Sequence, residues 1–167
     1  TNDRRQRQMC IRDRTNCLNF GNPEKPENMG EFVECVEGLN EASKYLNFPV
    51  VSGNVSFYNE TKDKGIKPTP TIGGVGIIKN YKDMVTMDLK NIGNLILVVG
   101  KTEGNLDQSI FAKEILNEKK GPPPDVNLFN EKNNGEAIMK LIENKLILSA
   151  HDVSLGGIIT GISKMCI

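Results

Sequence analysis

The chain has 167 residues, of which 38% are hydrophobic and 25% are charged, a composition typical of a globular protein with a core. Its formal net charge is zero, which argues against a nucleic-acid or membrane-surface partner, and no apolar run approaches the roughly 20 residues of a membrane span. The four cysteines lie apart without CxxC spacing, so a reducing compartment is expected and neither a zinc site nor a disulfide framework is indicated.

Residues 1–14 differ in charge from the rest of the chain. They contain five arginines and two aspartates, whereas the remainder carries a net charge of −3. A basic arm for nucleic acid is one interpretation. However, residues 7–14 (RQMCIRDR) resemble translated sequencing adapter and show neither a helical nor a strand period. We therefore predict that 1–14 is a non-native basic tail, and the predicted fold excludes it.

The first predicted elements are a strand, a helix and a second strand. Residues 15–23 (TNCLNFGNP) are typical of a strand that runs into a turn. Apolar residues recur at helical spacing over 27–46, which predicts an amphipathic helix. Because a crossover helix usually joins parallel strands, we expect Asn16 and Asn54 at comparable ends of two parallel strands. Ligands collect near strand ends in open α/β sheets.

The second strand, 50–58 (VVSGNVSFY), is the centre of the predicted site. Side chains alternate along a strand, so it has one apolar and one polar face. It is either an ordinary half-solvated strand or a strand whose polar face binds a ligand. The apolar face holds Val51, Gly53, Val55 and Phe57, and the polar face holds Ser52, Asn54 and Ser56.

A polar segment, 59–67, is predicted to be a mobile loop. Residues 68–78 then form a glycine-rich strand. Its glycines allow backbone to approach a phosphate, or they allow close packing between elements. The sequence is neither a Walker loop nor a GxGxxG fingerprint that opens a helix.

The second half alternates apolar runs and helical patterns. Continuous apolar runs at 95–99 and 146–150 predict strands buried on both faces. Helices are predicted at 106–118 and at 127–144, where Gly135 weakens the expectation of an unbroken element. A last helix opens at Gly156 and Gly157 and is still amphipathic at Ile167, which predicts truncation.

His151 and Asp152 allow two interpretations. A histidine beside a carboxylate can act as a base, but neighbouring residues on a strand point to opposite faces. The alternative is structural, with His151 hydrogen-bonded at a strand end and Asp152 or Ser154 capping the helix that follows. A glycine-rich helix start could also receive an anion.

Four ordered motifs closely resemble the synthetase subunit of the phosphoribosylformylglycinamidine synthase family, and the resemblance covers 15–167. The motifs are 15–26 (TNCLNFGNPEKP), 49–56 (PVVSGNVS), 68–76 (PTPTIGGVG) and 151–154 (HDVS). The resemblance implies a mixed α/β fold similar to aminoimidazole ribonucleotide synthetase, in which each half of a tandem duplication has an A and a B domain. Residues 15–90 would be a partial A-type domain of the second half, and 91–167 a partial, truncated B-type domain.

The same resemblance implies the reaction and its partners. Enzymes of this family are ATP-dependent ligases of purine biosynthesis that convert formylglycinamide ribonucleotide, ATP and glutamine-derived ammonia to the amidine, ADP and phosphate. The implied partners are the missing first half of the chain, a glutaminase subunit and a small bridging subunit, in the cytoplasm. The alternative is a non-catalytic nucleotide-binding module of the same superfamily.

Site residues carry over from the resemblance by motif. Asn16, often Asp in the family, and Gly53 would contact ATP, Asn54 would bind Mg²⁺, and Ser56 would bind the ribonucleotide. Leu155 departs from the family, which usually has an acidic residue there. The family's catalytic histidines and most of its magnesium carboxylates lie in the first half, so the resemblance implies no catalytic residue in this fragment and no activity of the isolated chain.

Overall fold

The computed structural model describes residues 10–78, 80–118 and 121–167, and the chain divides into two units, Thr1–Lys79 and Asn80–Ile167. The predicted domain boundary lies between residues 90 and 91, eleven residues beyond the division between the two units. The assignment of the two parts to A-type and B-type domains stays a prediction.

A parallel strand pair joined by a helix forms the centre of the first unit. Strand β1 (Cys10–Asn19) leads through a turn into helix α1 (Pro26–Tyr45), and strand β2 (Val50–Ser56) follows. The strands pair in parallel, as expected of strands joined by a crossover helix. Pro26 begins α1, where its missing N–H costs no hydrogen bond and its fixed φ suits a helix. The predicted strand–helix–strand order is confirmed.

The polar segment after β2 contains a short hairpin. Strands β3 (Glu60–Thr61) and β4 (Lys64–Gly65) pair antiparallel. Lys62 and Asp63 join them with φ values of 52° and 59°. Positive φ at both central residues is typical of the type I′ turn, whose twist matches that of the flanking strands. The segment predicted as a loop therefore has a defined hydrogen-bonded shape.

The glycine-rich strand pairs with β1 on the side away from β2. Strand β5 (Thr69–Ile77) runs antiparallel to β1 and gives the order β2-β1-β5. A Cβ atom at Gly74 would lie 2.9 Å from Cζ of Phe48, and one at Gly73 would lie 3.2 Å from Cγ2 of Thr15. Both glycines thus allow close side-chain packing, which favours the packing interpretation over phosphate binding.

Three phenylalanines form the core of the first unit beside the carboxyl ends of β1 and β2. The ring centroids of Phe20 and Phe32 are 5.2 Å apart, and those of Phe32 and Phe57 are 5.1 Å apart. Both pairs are edge to face, which sets positive ring edges against negative ring faces. Phe20 is 1% exposed. The cluster therefore fixes the chain where both strands end.

β1 extends into the predicted tail. Its pairing with β5 continues to Cys10, so residues 10–14 take part in a fold from which the prediction excluded them. Arg14 is buried, its guanidinium carbon lies 4.8 Å from the centre of the Phe48 ring, and it donates a hydrogen bond to Ser43 Oγ. That 1–14 is non-native stays a prediction, and residues 1–9 lie outside the described residues.

The second unit is mostly helical where it is regular. Helix α2 (Ile110–Glu114) is shorter than the predicted 106–118. Helix α3 (Leu128–Glu143) matches the predicted 127–144 and runs through Gly135 without a break. Helix α4 (Gly157–Met165) matches the last predicted helix. None of the helices within the described residues combines the length and apolar composition that crossing a bilayer requires.

The two predicted buried strands of the second unit are not formed. Residues 95–99 lie outside any strand, and each of these residues is between 42% and 88% exposed. Residues 146–150 make one isolated parallel bridge, between Thr86 and Ser149. A strand requires hydrogen bonds to a neighbouring strand, and none of the described residues provides one beside 95–99. An apolar run alone therefore did not determine a strand.

We expect Phe20→Ala to lower the free energy of unfolding by about 3–5 kcal/mol, because it removes a fully buried ring and leaves a cavity. Phe129 in α3 is 62% exposed, so Phe129→Ala is the control and should change the value by less than about 0.5 kcal/mol. Urea unfolding of the chain measures both. Equal effects of the two substitutions would contradict the role of the phenylalanine core.

Candidate functional site

The register of β1 and β2 assigns the predicted site residues to two faces of the sheet. The parallel pairs are Asn16 with Gly53, Cys17 with Asn54, and Asn19 with Ser56. Paired residues of neighbouring strands share a face, and successive residues alternate between faces. The structure therefore brings Asn54 and Ser56 together on one face, and Asn16 and Gly53 together on the other.

Asn16 lies on the face that α1 covers. With Leu18 and Val50 it lines a hollow of about 280 Å³ between the strands and the helix. Asn16 is half-buried there. Its amide therefore lies between sheet and helix, where sequence alternation alone could not place it. The α1 residues of the hollow are Val36, Leu39, Asn40 and Ser43.

Gly53 has a packing reason to be glycine. A Cβ atom at this position would overlap both the side-chain oxygen and the backbone carbonyl oxygen of Asn16. Because the clash involves backbone of the neighbouring strand, a rotamer change of Asn16 would not relieve it. Gly53 is also exposed, so a ligand can reach its backbone. The absence of a side chain thus serves the β1–β2 contact whether or not a phosphate binds.

The opposite face of the sheet is lined by short, neutral polar side chains. We call it the polar face. Five of its eight residues are exposed and three are half-buried. Hydroxyl and amide groups both donate and accept hydrogen bonds, so this surface can bind a polar ligand without a charged side chain of its own. It consists of Thr15, Cys17 and Asn19 of β1, Ser52, Asn54 and Ser56 of β2, and Thr69 and Thr71 of β5.

Ser56 lies at the carboxyl end of β2 and is half-buried. Its hydroxyl oxygen accepts a hydrogen bond of 3.2 Å from Nδ2 of Asn59. Sequence reasoning missed Asn59, because it follows the strand in a segment without a periodic pattern. Only its fold-back onto the strand end brings its amide to Ser56.

Asn54 is exposed on the polar face. Its amide oxygen is a hard, neutral donor that Mg²⁺ accepts, but Mg²⁺ usually also takes carboxylates, phosphates or waters. Within the part of the chain that the structure describes, no group of three or more His, Cys, Asp or Glu side chains could hold a metal ion. Asn54 can therefore offer a metal ion one neutral oxygen ligand from the polar face.

An ion pair fastens the hairpin to the turn after β1. Nζ of Lys25 lies 2.8 Å from Oε1 of Glu60 and donates a second hydrogen bond, of 3.1 Å, to the carbonyl of Asp63. The backbone N–H of Asn22 also donates to Glu60, at 3.3 Å. The Lys25 hydrogen bond lowers the pKa of Glu60 and raises the pKa of Lys25. The hairpin is thus held electrostatically beside the end of the polar face.

In the second unit, His151 and Asp152 are in contact. Nδ1 of His151 lies 3.3 Å from Oδ1 of Asp152, although alternation on a strand would have separated them.

The predicted side-chain cap of the last helix is wrong. Gly156, with a φ of 88°, precedes α4, and neither Asp152 nor Ser154 caps this helix with its side chain. Thr160 donates to the carbonyl of Gly156 at 3.0 Å and leaves no room for a Cβ there. The imidazole lines an apolar cleft of about 860 Å³.

Comparisons with known proteins agree with the motif resemblance. The family model for AIR synthase related proteins, N-terminal domain, matches residues 14–78. Phosphoribosylformylglycinamidine synthase subunit PurL of Pelagibacter ubique is 77% identical over 153 residues, which is 92% of this chain and 21% of that protein. PurL of Azorhizobium caulinodans is 52% identical over 151 residues, 90% of this chain and 20% of that protein. This chain resembles a segment of PurL.

The chain spans about a fifth of the length of the curated PurL relatives it matches. The crystal structure of phosphoribosylformylglycinamidine synthase II from Thermotoga maritima aligns with 91% of this chain and 21% of its own, at 22% identity and a TM-score of 0.47. The predicted mixed α/β class with a domain of the AIR synthase type is confirmed by the domain match over β1, α1, β2 and β5.

We expect Gly53→Ala to destabilise the chain by about 1–3 kcal/mol, because the new methyl group must displace backbone of β1. Gly30, in the second turn of α1, has nothing within 4 Å of a built Cβ. Gly30→Ala is the matched control and should stabilise by about 0.5–1 kcal/mol through its helix propensity. Urea unfolding distinguishes the signs. A neutral Gly53→Ala would contradict the close contact with Asn16.

We expect the carboxyl of Glu60 to titrate below its ordinary pKa of 4.5, and Lys25→Met to move that pKa back up. Since the folded-state pKa is lowered, the ion pair contributes stability above pH 4.5 and loses it as pH falls through the folded value. Carboxyl ¹³C NMR measures the titration. Lys64→Met, in the same hairpin, is the control and should leave it unchanged. An identical shift in both variants would refute the specific pair.

Proposed function

We propose that this chain is part of the synthetase subunit of phosphoribosylformylglycinamidine synthase, an ATP-dependent carbon–nitrogen ligase of purine biosynthesis. The observation that carries the proposal is the 77% identity with a PurL protein over 92% of the chain. Because the relatives are about five times longer, the complete enzyme needs polypeptide beyond these residues. The residues of this chain would form part of the site that binds the ribonucleotide and ATP.

In the proposed reaction, the amide oxygen of formylglycinamide ribonucleotide attacks the γ-phosphorus of ATP, and ADP leaves. The product is an iminophosphate. Ammonia derived from glutamine then adds to the imino carbon, and the carbon–oxygen bond breaks to release phosphate. Splitting the substitution in this way converts an amide oxygen into a good leaving group.

The polar face supplies the proposed substrate contacts. Asn54 and Ser56 lie two residues apart on the same face, so one ligand can touch both, with Ser56 on the ribonucleotide. Asn16 and Gly53 are the proposed ATP contacts. They lie next to each other on the face that α1 covers. ATP would therefore reach them at β2, through the exposed backbone of Gly53, and Asn16 would support that backbone from the side of α1.

Magnesium would be bound by Asn54 together with groups outside this chain. The neutral amide oxygen suits the ion as one ligand, and the polar face offers no carboxylate. Bound there, the ion would neutralise phosphate charge. The proposed partners are the rest of the same subunit, a glutaminase subunit and a small bridging subunit, in the cytoplasm. Nucleic acid and membrane have no part in the proposal.

We expect the isolated 167-residue chain to form no amidine, and a chimera to form it. In the chimera, the aligned residues of this chain replace the matching 153 residues of the Pelagibacter ubique PurL. Because 77% of these residues are identical, most packing contacts are retained. Mass spectrometry of the ribonucleotide and release of ADP measure turnover, with the unaltered PurL as control.

Three outcomes separate the alternatives. Amidine formed by the chimera alone supports the proposal. A chimera that binds ATP without turnover would favour the non-catalytic nucleotide-binding module. Amidine formed by the isolated chain would contradict the proposal that the reaction needs the additional polypeptide.

A further inference from the structure

We infer that Asn59 is a positioning residue that fixes Ser56 as a hydrogen-bond donor toward an oxygen atom of the ligand. The inference rests on the proposed function, in which Ser56 binds the ribonucleotide. Asn59 lies three residues beyond Ser56, outside β2 and half-buried. Its amide folds back over the carboxyl ends of β1 and β2.

The surrounding carbonyl groups determine which end of the Asn59 amide faces the strands. Nδ2 donates to the backbone carbonyl of Phe20 at 3.0 Å and to that of Ser56 at 3.0 Å. A carbonyl oxygen can only accept, so the NH₂ group and not the amide oxygen must face them. The backbone N–H of Asn59 donates to the same Phe20 carbonyl at 3.2 Å. The two carbonyl acceptors therefore determine the orientation of the Asn59 amide.

This orientation decides the role of the Ser56 hydroxyl. Nδ2 of Asn59 has two protons and three acceptors, the two carbonyls at 3.0 Å and Ser56 Oγ at 3.2 Å, so the bond to Oγ shares a proton with one of the carbonyls. Because Nδ2 cannot accept a hydrogen bond, Oγ acts as the acceptor in this contact. The reverse contact, from Ser56 Oγ to Oδ1 of Asn59, is 3.5 Å, well beyond the usual 2.7–2.8 Å of an O–H···O hydrogen bond. The hydroxyl proton of Ser56 is thus left for a ligand on the polar face.

The donor role selects the ligand chemistry. A hydroxyl held as a donor favours phosphate, carbonyl or ribose oxygens, and it disfavours a ligand that offers only N–H groups. The polar face carries no cation to attract such an oxygen, so correct orientation of the hydroxyl matters more here than at a charged site.

The test reverses the hydrogen bond at nearly constant shape. Asn59→Asp replaces the donor by an acceptor that takes the Ser56 proton. In the active chimera we expect it to raise the KM for formylglycinamide ribonucleotide roughly tenfold or more, the effect of a lost hydrogen bond to a charged group, with kcat changed less than about threefold. Ser56→Ala should have a similar effect.

A double-mutant cycle separates positioning from simple structural loss. If Asn59 acts through Ser56, Asn59→Asp adds no further increase in KM once Ser56 is replaced by alanine. Asn28→Asp is the matched control, because Asn28 also donates from Nδ2 to a backbone carbonyl, that of Asn22, at 2.8 Å, without touching Ser56. Its KM should stay within about twofold of the parent chimera.

Two results would overturn the inference while leaving the proposed function intact. One is an equal effect of Asn59→Asp on KM in the parent chimera and in the Ser56→Ala variant, and the other is an unchanged KM with only a loss of folded protein. An inactive parent chimera would instead count against the proposed function, and the inference would fall with it. Binding of formylglycinamide ribonucleotide to the chimera and its variants, measured by calorimetry, should rank the variants in the same order.

Discussion

The parallel register of β1 and β2 is the constraint on which the first unit depends. Side chains alternate with a period of two, so a slip by one residue would move Asn54 and Ser56 to the face of α1 and place Val55 on the polar face instead. The contact of Asn16 with Gly53 opposes such a slip, because only a glycine leaves room for the Asn16 oxygens. The missing methyl group at Gly53 therefore contributes to the register that keeps the polar face directed outward.

That surface is polar without being charged, and this limits how it can work. Neutral groups contribute modest hydrogen bonds that depend on geometry, whereas a cluster of cations would bind anions with little orientation. The rigid elements around the polar face supply the geometry: the phenylalanine core, the Lys25–Glu60 ion pair and the folded-back amide of Asn59 all meet where β1 and β2 end. The charged side chains of Lys25 and Glu60 lie beside the polar face and not on it, and their ion pair stabilises the hairpin.

The spacing of apolar residues along the sequence predicted the features that depend on neighbouring residues alone. It gave the order of β1, α1 and β2, and the register agrees with Ser52, Asn54 and Ser56 on one face. The place of Asn16 under α1 could not be predicted, because it depends on pairing between segments 37 residues apart. Lys62 and Asp63 lack the usual Asn-Gly signal of a two-residue turn. The runs 95–99 and 146–150 have strand composition, but strands form by pairing, which composition does not encode.

The exposure of 95–99 has a consequence for the isolated polypeptide in solution. Five consecutive β-branched or leucine side chains without a charge are typical of segments that stack into cross-β aggregates. Lys101 follows this run after one glycine, whereas the nearest charged residue before it is Lys90, so a charge that opposes stacking lies close to only one end. At high concentration, intermolecular strand pairing through this segment of the second unit would therefore compete with refolding.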